Sequence, residues 1–145
     1  MKILVPVDGS QNSMEAVKVA LKYAKATKTD IHLMTVTPFI PGLDLEISAG
    51  AMDSMTESMK RRGEEVLGKA QDILKAEGVS AKTVLASSIS AADDIISFAE
   101  KEKVNLIIIG SRGLGSAATR FIMGSVASKV VTHAPCNVYV VKTAI

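Results

Sequence analysis

The sequence predicts an α/β fold: a single domain with an open, doubly wound, mostly parallel sheet and helices on both faces. Short apolar runs alternate from end to end with segments of helical periodicity, the pattern that crossover units leave in a chain. The run Val104–Ile109 (Val-Asn-Leu-Ile-Ile-Ile) is the most apolar and reads as a central strand, covered by helices above and below. With 145 residues, 48% of them hydrophobic, the chain is one domain with enough apolar mass for a buried core.

Ile3 to Val7 is a short apolar run closed by Asp8-Gly9-Ser10, a buried strand followed by a turn. Asn12 with Glu15 three residues on has the spacing of a helix cap. Ala16, Val17, Ala20, Leu21 and Ala24 then recur at helical spacing. A second strand is expected over Asp30–Thr37. From Pro38 to about Ala51 the chain carries Pro38, Pro41, Gly42 and Gly50 and reads as irregular, the kind of long connection that is often functional or mobile. A longer helix is expected from about Asp53 to Glu77, with Val66, Leu67, Ala70, Ile73 and Leu74 on one stripe and Gly78 as its stop. Ala81–Ala86 is the third strand. Ser90 with Asp93 marks the start of a helix whose inner face carries Ile95, Ile96 and Ala99. The fourth strand, Val104–Ile109, ends in Gly110-Ser111-Arg112-Gly113. A last helix carries Val126, Ala127, Val130 and Val131, Pro135 breaks it, and Asn137–Lys142 is the fifth strand.

Composition excludes several functions. Aromatic residues are 3% of the chain and the net charge is +2, so neither stacking platforms nor a basic footprint for nucleic acid stand out. Lys60-Arg61-Arg62, followed by Glu64-Glu65, reads as a solvated helix face. One cysteine, Cys136, allows no internal disulfide. No segment approaches a membrane span and the start has no signal-peptide pattern, so a cytoplasmic protein with no membrane partner is expected. His133 and Cys136 lie three apart with nothing to complete a metal site. His32 reads as a partly exposed strand residue, and Met52, Met55 and Met59, at helical spacing, as core packing with a partner surface as the alternative.

Chemistry concentrates after the first and fourth strands. In open α/β sheets ligands bind beyond the carboxyl ends of the strands, where the strand order reverses. A glycine-rich turn there exposes backbone N–H groups to a phosphate, and the helix start near Gly124-Ser125 adds more, with the positive end of the helix dipole. Ser111 and Ser125 have hydroxyls to donate, Arg112 a positive charge, and Asp8 two oxygens to accept ribose hydroxyls. The bland alternatives are a simple turn at Gly110–Gly113, a helix-entry cap at Asp8, a solvated Arg112 and an N-cap at Ser125. No nucleophile–His–acid arrangement is legible.

Three segments carry a resemblance that covers essentially the whole chain. Val5-Pro6-Val7-Asp8-Gly9-Ser10 resembles the first strand of universal stress proteins. Gly110-Ser111-Arg112-Gly113, then Phe121 to Ala127, then His133 to Val141, resemble that family's C-terminal signature. The resemblance implies a nucleotide α-hydrolase-like fold, a five-stranded sheet in the order 3-2-1-4-5, and an adenine nucleotide as ligand: ATP, or AMP or ADP, with Mg²⁺ accompanying the triphosphate. Asp8 would meet the ribose, the Val36 backbone the adenine, and Pro6 and Val7 would line the base pocket. Gly110, Ser111, Arg112, Gly113, Gly124, Ser125 and Val126 would surround the phosphates and ribose. It also implies a homodimer through the last strand, where Val138, Val140 and Val141 lie, and pairing would remove an apolar edge. One departure bears on the site. The family pattern has nine residues between its second and third glycines, whereas ten, Leu114 to Met123, separate Gly113 from Gly124 here. If the small residues Gly115, Ser116, Ala117 and Ala118 absorb the extra one, Gly124-Ser125 reaches the phosphates. If they do not, AMP-like binding, or none, follows. The expected function is therefore an ATP-binding regulatory module of the stress response with an unidentified protein partner and at most slow hydrolysis. The alternative is a nucleotide-free dimeric interaction protein of the same family.

Overall fold

The computed structural model describes residues 1–39, 42, 45, 47–112 and 123–142. Strands β1 (Lys2–Pro6), β2 (Asp30–Pro38), β3 (Lys82–Ser88), β4 (Leu106–Gly110) and β5 (Asn137–Val141) alternate with helices α1 (Gln11–Ala26), α2 (Ala49–Lys75), α3 (Ala91–Lys101) and α4 (Ser125–His133). All neighbouring strands pair in parallel, in the order β3-β2-β1-β4-β5. The chain thus starts in the middle of its sheet, builds outward to β3, and returns past β1 to lay down β4 and β5.

Side-chain alternation along the strands divides the core in two. Ile3, Val5, Ile31, Leu33 and Ile108 face α1 and α2, packing on Ala16, Val17, Ala20, Leu67, Ala70 and Leu74. Leu4, Met34, Ile107 and Ile109 face the other way, onto Ala92, Ile95 and Ala99 of α3 and Ala127 and Val130 of α4. Each fully buried aliphatic side chain contributes about 1.5–3 kcal/mol relative to exposure. The helices contribute small residues at the contact, which lets them lie close on the sheet.

Several local expectations are corrected by this packing. Helix α1 is capped by Ser10, whose Oγ accepts from the Ser13 N–H at 3.2 Å, not by Asn12. Asn12 lies one residue inside the helix and is buried. Helix α2 starts at Ala49 behind a Ser48 cap, several residues before the expected Asp53. Residues 49–62 of that helix include none that is buried, and burial begins at Gly63. Met52, Met55 and Met59 are accordingly half-buried rather than core. His32 is buried, not partly exposed: it sits on an inner strand covered on both faces, with its ring 5.8 Å from that of Phe98 on α3.

Candidate functional site

The reversal of strand order falls between β1 and β4, which are hydrogen-bonded neighbours. Their carboxyl ends therefore open side by side onto one crevice, and the residues that follow each strand line it. The cavity measures about 460 Å³, within the roughly 300–1,000 Å³ of small-molecule sites.

One wall is apolar. Pro6 and Val7 leave β1, Met34 and Val36 project from β2, Ile109 ends β4, and Ile95 reaches in from α3. Met34 and Val36 are two residues apart on a strand and so share a face. The opposite wall is polar. It comprises Asp8 and Ser13 at the start of α1, Gly110 and Arg112 after β4, and Gly124 and Ser125 at the start of α4, with Val126 and Ala127 beside them.

The polar groups are held from behind. The Ser10 N–H donates to Asp8 Oδ1 at 2.9 Å, which sets the carboxylate's orientation at the head of α1. The Asp8 N–H reaches Ser13 Oγ at 3.4 Å, and that hydroxyl donates to the Ser10 carbonyl at 2.9 Å. Ser111 is buried behind the cavity wall, and its Oγ accepts from Asn12 Nδ2 at 3.4 Å. A Cβ on Gly110 would stand 2.9 Å from the Asn12 carbonyl carbon, so only glycine lets α1 approach β4 this closely.

Ser111 also ties the site to its neighbours. Its N–H donates to the Val141 carbonyl at 2.9 Å, and its carbonyl accepts from the Gly124 N–H at 2.7 Å. The start of α4 is thus docked on the end of β4 with ten residues between Gly113 and Gly124. Gly124 is the cap position of α4, Ser125 its first residue, and among the described residues no side chain caps the helix. The first-turn N–H groups, which have no partner within a helix, therefore border the cavity beside the Ser125 hydroxyl. Lys129 on α4 reaches Asp93 on α3 at 2.8 Å and joins the two helices that form this rim. The Lys129 contact and the Ser90 cap hold the Asp93 carboxyl below its usual range.

Of the residues singled out from sequence, Pro6, Val7, Asp8, Val36, Gly110, Arg112, Gly124, Ser125 and Val126 line one cavity, and Ser111 stands behind it. Gly113 lies outside the described residues, as do 114–122. Sequence reading missed Ser13, Met34, Ala91, Ile95, Ile109 and Ala127, which also line it. The period of two on β2 was enough to find Met34 from Val36. Ala91 and Ile95 depended on which face of the sheet α3 covers, which no local pattern encodes. Among the described residues no group of three or more His, Cys, Asp or Glu side chains could hold a metal. Burial pushes the Cys136 thiol up, away from reactivity.

A doubly wound sheet with a cleft at its switch point, an acidic residue on one lip and a helix N-terminus on the other, defines a class of α/β protein that has its ligand site beyond the carboxyl ends of the strands. Comparison with known proteins narrows the class. Residues 1–142 match the universal stress protein family, and the chain belongs to it. Universal stress protein MJ0531 of Methanocaldococcus jannaschii is 37% identical, over 97% of this chain and 81% of its own. UspA of Lactobacillus plantarum superposes with a TM-score of 0.82 at 26% identity, covering 97% of each chain. The Archaeoglobus fulgidus universal stress protein solved with dAMP gives a TM-score of 0.71 at 24% identity, covering 98% of each.

Proposed function

We propose that this protein is an adenine-nucleotide-binding regulatory module, with ATP as its working ligand and at most slow hydrolysis, acting in a stress response. The observation that carries the reading is the arrangement of Asp8 opposite the uncapped start of α4, across a cleft of nucleotide size with an apolar wall. Structural neighbours solved with AMP, dAMP and cAMP support adenine as the base.

In this reading the adenine lies against Pro6, Val7, Met34 and Val36, with the Val36 backbone reading its edge. Asp8 accepts from the ribose hydroxyls. The phosphates run toward Gly110 and Arg112 and the N–H groups of Ser125 and Val126, where the helix dipole favours negative charge. The donor set suits Mg²⁺ carried by the nucleotide: among the described residues the cleft offers one carboxylate and hydroxyls rather than a cage, and Mg²⁺ keeps several waters and binds through phosphates. Its chemistry there would be to neutralise phosphate charge. Among the described residues no histidine lines the cleft to activate its hydroxyls, which supports binding rather than turnover as its work.

The test is calorimetric titration of the purified protein with Mg·ATP and with AMP, after assaying denatured supernatant for carried-over nucleotide. Micromolar or tighter binding of Mg·ATP is expected. Asp8→Ala should weaken it about 10- to 100-fold, the worth of one or two hydrogen bonds to a charged group. Gly124→Val, which crowds the helix start, should cost a similar factor for ATP and less for AMP. No binding and no carried-over nucleotide would favour the nucleotide-free interaction protein. Fast sustained turnover would overturn the regulatory reading.

A further inference from the structure

A second cavity, of about 360 Å³, lies on the opposite face of β2 and β3 from the nucleotide cleft. One side is the unburied first half of α2, where Met52, Met55 and Met59 recur at i, i+3 and i+7. The other side is the end of β2 with Phe39 beyond it, and Leu85 on β3. Phe39 is 51% exposed and Leu85 36%, so both leave apolar surface open to whatever fills the groove.

Gly63 sets the groove's closed end. A Cβ there would stand 2.5 Å from Leu85 Cδ1 and 3.3 Å from Thr37 Cγ2, so α2 meets the sheet at van der Waals contact. One turn earlier, at Met59, the groove has opened. Among the described residues the lining carries one ionisable group, Lys60. Lys60 is exposed and makes no ion pair or hydrogen bond among the described residues.

We infer that this groove binds a free amphipathic carboxylate, a medium- to long-chain fatty acid. Its alkyl chain would lie along the methionines toward Gly63 and its carboxylate would meet the Lys60 ammonium. Three features select that class. The volume suits one small molecule rather than a helix. Methionine side chains are polarisable and adapt to a flexible chain. Among the described lining residues one cation stands without a carboxylate beside it, which complements a single anion. The occupant differs from the nucleotide and reaches the sheet from its other face, so this inference does not depend on the reading of the first site.

Titration calorimetry with octanoate, decanoate and laurate below their micelle concentrations tests it. One-site binding is expected, tightening about fourfold per added methylene until the closed end is reached. Lys60→Met should weaken laurate about fivefold, the upper range of an exposed ion pair, and leave dodecanol unchanged. Met55→Glu should abolish binding of both while Mg·ATP affinity and the melting temperature hold, because Met55 is only half-buried. No saturable binding, no dependence on chain length, or equal laurate affinity in Lys60→Met would each overturn the inference. Association with anionic phospholipid vesicles without binding of the monomeric acid would also overturn it, and would reassign the groove to a membrane surface.

Discussion

His32 is a buried imidazole whose Nδ1 has no hydrogen-bond partner among the described residues. Burial pulls its pKa below 6.5. Asp30 and Glu102 act in the opposite direction, and Lys2 and Lys82 reinforce the lowering. The ring is thus kept neutral in the folded state but takes up a proton more readily when the chain unfolds. Stability from this residue is complete above pH 6.5 and is lost as pH falls through the lower folded value. Urea denaturation from pH 7.5 down to pH 5 should show an acid-side loss that His32→Leu reduces, the difference between the two curves isolating this one group. Gly110 is a second residue whose identity is set by a neighbour. Gly110→Ala should cost about 1–3 kcal/mol, because the added methyl meets the Asn12 backbone at 2.9 Å, where nothing flexible can give way. Denaturant midpoints measure that cost, and nucleotide affinity should fall with it, since α1 carries Asp8 to the cleft. The identity of Gly110 as a turn glycine was legible from its place after an apolar run. Its second duty, admitting α1, was not, because the residue it admits lies 98 positions earlier in the chain.

At the scale of elements, α1 and α2 show how local and long-range signals divide. Helix α1 was recognisable from Ala16, Val17 and Ala20, all of which are buried. Its cap was assigned to Asn12 and belongs to Ser10, since both have capping side chains and the choice depends on where β1 releases the chain. Ser10→Ala should destabilise by about 1 kcal/mol, the worth of an N-cap, and should also loosen Asp8, whose carboxylate is oriented by the Ser10 N–H. Calorimetric melting, paired with nucleotide titration, separates the two effects. Helix α2 runs 27 residues, about 40 Å, longer than any strand beneath it. Its Leu67, Ala70 and Leu74 stripe was legible and is buried. The methionines continue the same periodicity and were read as core, but they lie past the end of the covered sheet. Periodicity reports which face of a helix is apolar, not how far the opposing surface extends.

For the molecule as a whole, β5 is an edge strand. It pairs with β4 on one side, and Tyr139 stands 43% exposed on it. An apolar edge invites pairing with another strand, and we propose the homodimer that the family resemblance implies, which would satisfy this edge about a two-fold axis. Sedimentation should find a dimer at micromolar concentration. Tyr139→Lys, which adds like charges to both copies of the edge, should shift it toward monomer with little change in the monomer's own melting. Two features of the whole chain were determined by sequence alone. The alternation of strands and helices followed from apolar periodicity, because burial on two faces forces local pattern onto each element. The candidate site residues were visible because Asp8, Gly110–Arg112 and Gly124-Ser125 each lie where an element ends or begins. Tertiary structure decided the rest: that β1 and β4 are neighbours, an order no local pattern gave and only the family resemblance implied, so those segments meet; that α3 supplies Ala91 and Ile95 to the cleft; that His32 is covered; and that α2 overhangs its sheet. Each is a contact between residues far apart in the chain, and such contacts are settled by the packing of layers, which no stretch of sequence specifies by itself.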